Sequence, residues 1–110
     1  MGFTSRGMYA EVDHDMFCRA LRRSQMSYQE LADEASRELR KIARSERRKR
    51  RDATVPDGIS KALIGQLAVG SAKKTHELRG VAIERALMVP DGELFVPRVV
   101  RGTGTVKRTA

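Results

Sequence analysis

The chain has one cysteine, three prolines and no tryptophan among 110 residues, and each scarcity removes a class of protein. A single thiol, Cys18, rules out an internal disulfide framework and fits a reducing cytosol. With only three Phe and two Tyr, a core must be built from Leu, Ile, Val, Ala and Met. No apolar run approaches the roughly 20 residues that cross a bilayer, and the first residues lack the apolar stretch of a secretory signal. The opening MGFTSR follows a myristoylation signal until Arg6 stands where Ser or Thr is required. The expectation is therefore a cytoplasmic protein without a membrane partner. Its length suits a single domain with one modest core.

Groupings that carry chemistry are also missing. His14, His76 and Cys18 are scattered without zinc-ligand spacing, so no metal is expected. Asp13-His14-Asp15 has no nucleophile tied to it by spacing. Gly102 and Gly104 lack the following Lys-Ser/Thr and the preceding strand of a phosphate loop. No catalytic residue, cofactor or small-molecule ligand is implied, and an enzyme is disfavoured.

Positive charge is what the chain has in excess. Its 22 Lys and Arg against 14 Asp and Glu give +8, and the surplus is concentrated. Residues 37–51 hold nine bases and two acids, a local +7, and RSERRKRR at 44–51 lacks the acids of a salt-bridged surface. The last fifteen residues add Arg98, Arg101, Lys107 and Arg108 with no acid. Clustered positive charge favours a polyanion, most commonly nucleic acid.

Periodicity predicts an all-α fold of four to five helices. Residues 1–12 show no sustained period and read as an arm or a short strand. From Asp13, DHDMFCRALRRSQ places Phe17, Ala20 and Leu21 at helical spacing, with acids in the first turn and arginines in the last, as the helix dipole prefers. SYQE at 27–30 is a capping box, followed by an apolar face of Leu31, Ala32, Ala35, Leu39, Ile42 and Ala43. Pro56 and Asp57-Gly58 end that segment. Ser60 caps SKALIGQLAVG, with Ile64 and Leu67 on one face and Gly70 at the C′ position. Thr75 is the cap expected for a fourth helix with Leu78, Ala82, Ile83, Ala86 and Leu87 inward. MVPDGELF at 88–95 reads as a turn plus one helical turn. VPRVVRGTGTVKRTA at 96–110 reads as a basic tail, either a short hairpin about Gly102-Thr103-Gly104 or irregular.

Three stretches, SYQELADEA, ISKALIGQLAVG and ERALMVPDGELF, together resemble the Cro/C1-type helix-turn-helix family, also called lambda-repressor-like or XRE. The wording is similar to small regulators carried by actinobacterial phages. The resemblance spans 16–95 with one interruption. It implies a compact helix-turn-helix bundle: an arm at 1–12, a DNA-binding domain at 13–95 with a basic insertion at 36–58, and the tail at 96–110. It further implies a transcriptional regulator that binds a double-stranded DNA operator; family members commonly form homodimers that match palindromic half-sites, and the oligomeric state of this chain stays open.

Carried over by position, Lys61, Ala62 and Gln66 would face base edges, with Leu63 and Gly65 beside them. Gln66 can bond adenine bidentately, Lys61 can approach guanine, and Ala62 can touch a thymine methyl. Ser27, Tyr28 and Gln29 would hold phosphate at the start of the second helix, and Lys73 and Lys74 would hold it after the reader. Tyr28 departs from the family's usual Gln. The larger departure is the interval 36–58, where family members have a few residues. Either the second helix continues to about Arg48 or a separate basic segment is inserted. A structureless loop of that length is unusual in a compact domain, and Leu39 and Ile42 need cover, so the extension is favoured. It would carry Arg44, Arg47, Arg48, Lys49, Arg50 and Arg51 to the phosphates. Two other classes remain open. One is an antitoxin-type interaction protein that binds a toxin and its own promoter, and the other an Arg-rich RNA-binding protein.

Overall fold

A computed structural model describes residues 8–49 and 55–99. The elements run β1 (Met8–Val12), α1 (His14–Ser24), α2 (Tyr28–Lys49), α3 (Lys61–Val69), β2 (Lys74–His76), α4 (Glu77–Ala86) and β3 (Phe95–Val99). The protein is mostly helical, with a small antiparallel sheet in the order β2-β1-β3.

The helices begin where their caps stand. Asp13 Oδ1 accepts from the Met16 N–H at 3.2 Å, and Gln25 ends α1 in the left-handed region at φ 61°. At α2 both halves of the capping box form: the Glu30 N–H donates to Ser27 Oγ at 3.0 Å, and the Ser27 N–H donates to Glu30 Oε1 at 2.8 Å. Helix α2 then runs unbroken to Lys49. The interval after Ser36 is thus a helical extension followed by a return segment, and Val55 and Ile59 of that segment are buried. Its buried stripe of Leu31, Ala32, Ala35, Leu39, Ile42 and Ala43 is the one read from the sequence.

The all-α expectation is corrected by the sheet. Of the two readings of 1–12, residues 8–12 take the short strand, at the centre of the sheet, rather than the arm, and the tail assigned to 96–110 begins within an edge strand. Each strand is too short to show a period of its own, and backbone pairing across sixty to ninety residues of chain orders them. Register sets Ala10 opposite Thr75, with both buried. Val12 lies opposite Phe95, whose ring meets Phe17 edge-on at 6.2 Å between centroids. Pro97 is tolerated because β3 is an edge strand, where a residue without an N–H need not break a ladder.

Two smaller expectations also change. Thr75 does not cap α4: it lies in β2, and the cap is His76, whose Nδ1 accepts from the Leu78 N–H at 3.1 Å. Residues 88–95 make turns and enter β3 rather than forming another helical turn. A buried carboxylate organises that turn. Glu84 on α4 is fully buried, its Oε1 accepting from Gly92 N–H at 2.9 Å and its Oε2 from Leu94 and Phe95 N–H at 2.8 and 2.9 Å. Gly92 itself has φ 88°, a conformation that glycine adopts without steric cost. The hairpin expected about Gly102-Thr103-Gly104 and the bases Arg50 and Arg51 lie outside the described residues.

Candidate nucleic-acid interface

Helix α3 is held from three sides. Ser60 Oγ caps its first turn by accepting from the Leu63 N–H at 3.0 Å, and Gly70, at φ 89°, donates its N–H to Gln66 O at 3.1 Å. Ile64 and Leu67 are fully buried and fix its inner face. From α1, His14 Nε2 lies 2.8 Å from the Ala68 carbonyl oxygen, and Cys18 Sγ lies 3.3 Å from the same atom. His14 and Cys18 therefore position the end of α3.

With that face anchored, the opposite one is exposed. Lys61, Ala62, Gln66 and Val69 are exposed, and Leu63 and Gly65 are half-buried. At 3.6 residues per turn, Ala62 and Val69 project almost directly away from Ile64 and Leu67, with Gly65 and Gln66 to either side. A Cβ on Gly65 would come no nearer than 3.5 Å, to ring carbons of Tyr28. That is ordinary contact, so internal packing does not require glycine there. Gly80 differs, since a Cβ would lie 2.9 Å from Phe95 Cβ and Cγ.

The start of α2 meets this face. The Tyr28 ring lies against Gly65, which brings the first turn of α2 beside the middle of α3. Ser27 Oγ accepts within the capping box and keeps its own proton for a further acceptor. The Gln29 side chain donates to Asp33 Oδ1 at 2.9 Å and so turns back along α2.

Further along α2, Ser36 clamps the segment that leads into α3. Its Oγ accepts from Ile59 N–H at 3.0 Å and donates to Ile59 O at 3.1 Å. Arg40, Arg44 and Arg47 follow Ser36 at steps of four, eight and eleven residues, which keeps them on the same flank of the helix. The stripe extends about 16 Å beyond the point where α3 is docked. The expectation that the run lacks compensating acids needs correction: Glu34, Glu38 and Glu46 pair with Arg37, Lys41 and Lys49, each three residues on. In each pair the cation is exposed, while Glu38 and Glu46 are half-buried along the helix, and each pair is worth about 0 to 1 kcal/mol. Among the described residues, Arg40, Arg44, Arg47 and Arg48 have no acidic partner.

At the other end of α3, Lys73 and Lys74 are exposed, and Lys74 stands opposite Glu11 in the sheet register. With His14 and Gly70 they line a cavity of about 430 Å³. A second cavity, of about 440 Å³, lies at the first turn of α3 between Ser36, Ser60, Leu63 and Arg79. Arg79 Nε donates to Gly58 O at 2.9 Å, so a cation from α4 braces the return segment beside α3. Burial, and secondarily the charge of Arg79, hold the His76 imidazole below its ordinary pKa, which suits a cap that must accept a hydrogen bond. Burial first and Glu46 second push the Glu77 carboxyl above the usual range. The hydrogen bond to Asp91 raises Arg85 further.

The structure thus sets Ala62, Gly65 and Gln66 on the outward face of α3 with Tyr28 against Gly65, places Lys61 and the half-buried Leu63 on its two flanks, and sets Lys73 and Lys74 at its end. Arg44 and Arg47 share the flank of α2 that docks α3, while Arg48 and Lys49 turn progressively away from it. Arg40, Arg79 and Val69 escaped the sequence reading. Arg40 could have been found by its four-residue step from Ser36 and Arg44, but only the return of the chain onto α2 reveals Arg79. Among the described residues no group of three or more His, Cys, Asp or Glu could hold a metal ion, and no helix is long and apolar enough to cross a membrane. No protein-family model, curated protein or solved structure matches this chain.

Proposed function

We propose that this protein is a sequence-specific duplex-DNA-binding transcriptional regulator. Helix α3 reads base edges in the major groove, and the flank of α2 together with Lys73 and Lys74 holds the backbone on either side. The observation that carries this reading is the outward face of α3, anchored rigidly from behind and bracketed by cations at both ends. A short helix with small outward residues fits a groove about 12 Å wide. Phosphate contacts would supply affinity and register, and the α3 side chains the choice of sequence. A second copy bound at a neighbouring half-site would match the symmetry of a palindromic operator.

Selection of bound sites from random duplexes tests the proposal, with structured RNA as competitor. An enriched duplex motif that resists RNA competition is expected, and no enrichment would overturn the reading. On the selected site, Gln66→Ala should cost about 1 to 3 kcal/mol and relax choice at a single position. Unchanged affinity with unchanged preference in that variant would remove Gln66 from the reader.

Gly65 offers a test that separates binding from folding. Glycine inside a helix costs about 1 kcal/mol relative to alanine, and the Cβ of Gly65→Ala would find room inside the protein. The variant should therefore unfold at higher urea while binding the selected duplex more weakly, because the added methyl stands where the groove approaches. Equal or tighter binding would show that nothing comes close at Gly65.

A further inference from the structure

Val69 is 71 % exposed, although it is an apolar, β-branched residue on a helix whose other outward positions are polar or small. It is the last residue of α3 and lies on the midline of the outward face, seven residues and two turns beyond Ala62 and opposite the buried Ile64 and Leu67. Valine is also a poorer helix former than alanine or the long straight-chain residues, so neither core packing nor helix propensity accounts for it. Lys73 and Lys74 follow within five residues and line the cavity beyond the Gly70 cap. An apolar tip rimmed by cations at the end of a helix is complementary to an apolar group on a polyanion. In duplex DNA the group of that kind in the major groove is the thymine C5-methyl.

We propose that Val69 is a specificity-determining residue that packs its isopropyl group on a thymine methyl. This inference rests on the DNA-reading role of α3. Ala62 and Val69 lie about 10 Å apart along the helix axis, close to three base-pair steps of about 3.4 Å each. With α3 lying along the groove, Val69 reads a position about three base pairs from the one beneath Ala62. It does so by contact with a methyl group and forms no hydrogen bond to the base.

The test uses the full chain and the duplex selected by the wild-type protein, with each thymine replaced singly by uracil, which removes only the methyl. The wild type should lose affinity about fourfold at the position under Val69, the change expected for one buried methyl group. Val69→Ala should bind the thymine duplex about fourfold more weakly and be indifferent to uracil at that one position. Val69→Ile, which keeps the branched apolar tip, should retain the sensitivity. Because the side chain is exposed, neither variant disturbs the core. If wild type and Val69→Ala respond identically to uracil at every position while still binding the selected motif, the Val69 assignment falls and the reading of α3 stands. If selection yields no duplex motif, both fall together.

Discussion

Replacing Glu84 by alanine is expected to destabilise the protein by about 3 to 5 kcal/mol, as much as truncating a large side chain of the core. Its carboxylate accepts three backbone N–H groups, from Gly92, Leu94 and Phe95, in a site closed to water. Removing it leaves three donors without an acceptor, two of them in the buried backbone that leads into β3. Each such donor costs on the order of 1 to 3 kcal/mol, partly offset because no carboxylate need then be buried. Domains of this size are typically stable by about 5 to 15 kcal/mol, so the variant should sit near the edge of folding. A loss of that size would lower the melting temperature by about 15 to 25 °C. Glu84→Gln keeps one acceptor oxygen and should fall between the two. Urea unfolding of the three proteins measures this, and a Glu84→Ala midpoint equal to the wild type would show that the turn holds itself. The reason for the size is positional: Phe95 packs against Phe17 and Gly80, so loosening its backbone loosens the join between sheet and helices.

The second large effect is on binding. Neutralising Arg40, Arg44 and Arg47 together, as glutamines, should weaken binding to every duplex regardless of sequence, by one to three orders of magnitude at low salt. The dependence of log affinity on log salt should flatten by about 0.9 for each phosphate that the protein no longer neutralises, about 2.7 in total. Preference among sequences should survive, since the stripe lies on α2 while the reading residues lie on α3. The same substitutions at Arg37, Lys41 and Lys49, which are paired with Glu34, Glu38 and Glu46, should do much less. Fluorescence titrations at several salt concentrations distinguish the two sets. Equal salt slopes for wild type and the Arg40/Arg44/Arg47 variant would take that flank of α2 off the DNA.

Helix α2 shows what local sequence could settle. Ser27 and Glu30 specify its start by reciprocal bonds that need no distant partner. Its apolar stripe repeats so regularly from Leu31 to Ala43 that no competing period exists. Helix α3 is legible for the same reason, between the Ser60 cap and the left-handed Gly70. Cap chemistry and the 3.6-residue period are short-range, and a reader of the chain has all of both.

The sheet and the support of the interface were decided elsewhere. Among the described side chains Ala10 is buried in MYAEV and Thr75 in KTH, too little in either segment for a period of two to show. Thr75 looked like a helix cap because a hydroxyl before a helical period usually is one. Its pairing with Ala10 took it into β2, and the cap passed to His76. Nothing local marks Glu84 as buried: its three N–H donors, Gly92, Leu94 and Phe95, reach it only because the chain turns back after α4.

By itself, then, the sequence determined α1 to α4 as helices, the inward stripes of α2 and α3 and the concentration of positive charge, because these depend on neighbours within a turn or two. Only the tertiary structure decided that residues 8–12 form the centre of a sheet, that Tyr28 lies on Gly65, and that Ser36 sets the arginine flank of α2 beside α3. Those contacts join residues that the chain holds 20 to 90 positions apart. Their free energy comes from backbone pairing and shared burial, which no local pattern encodes.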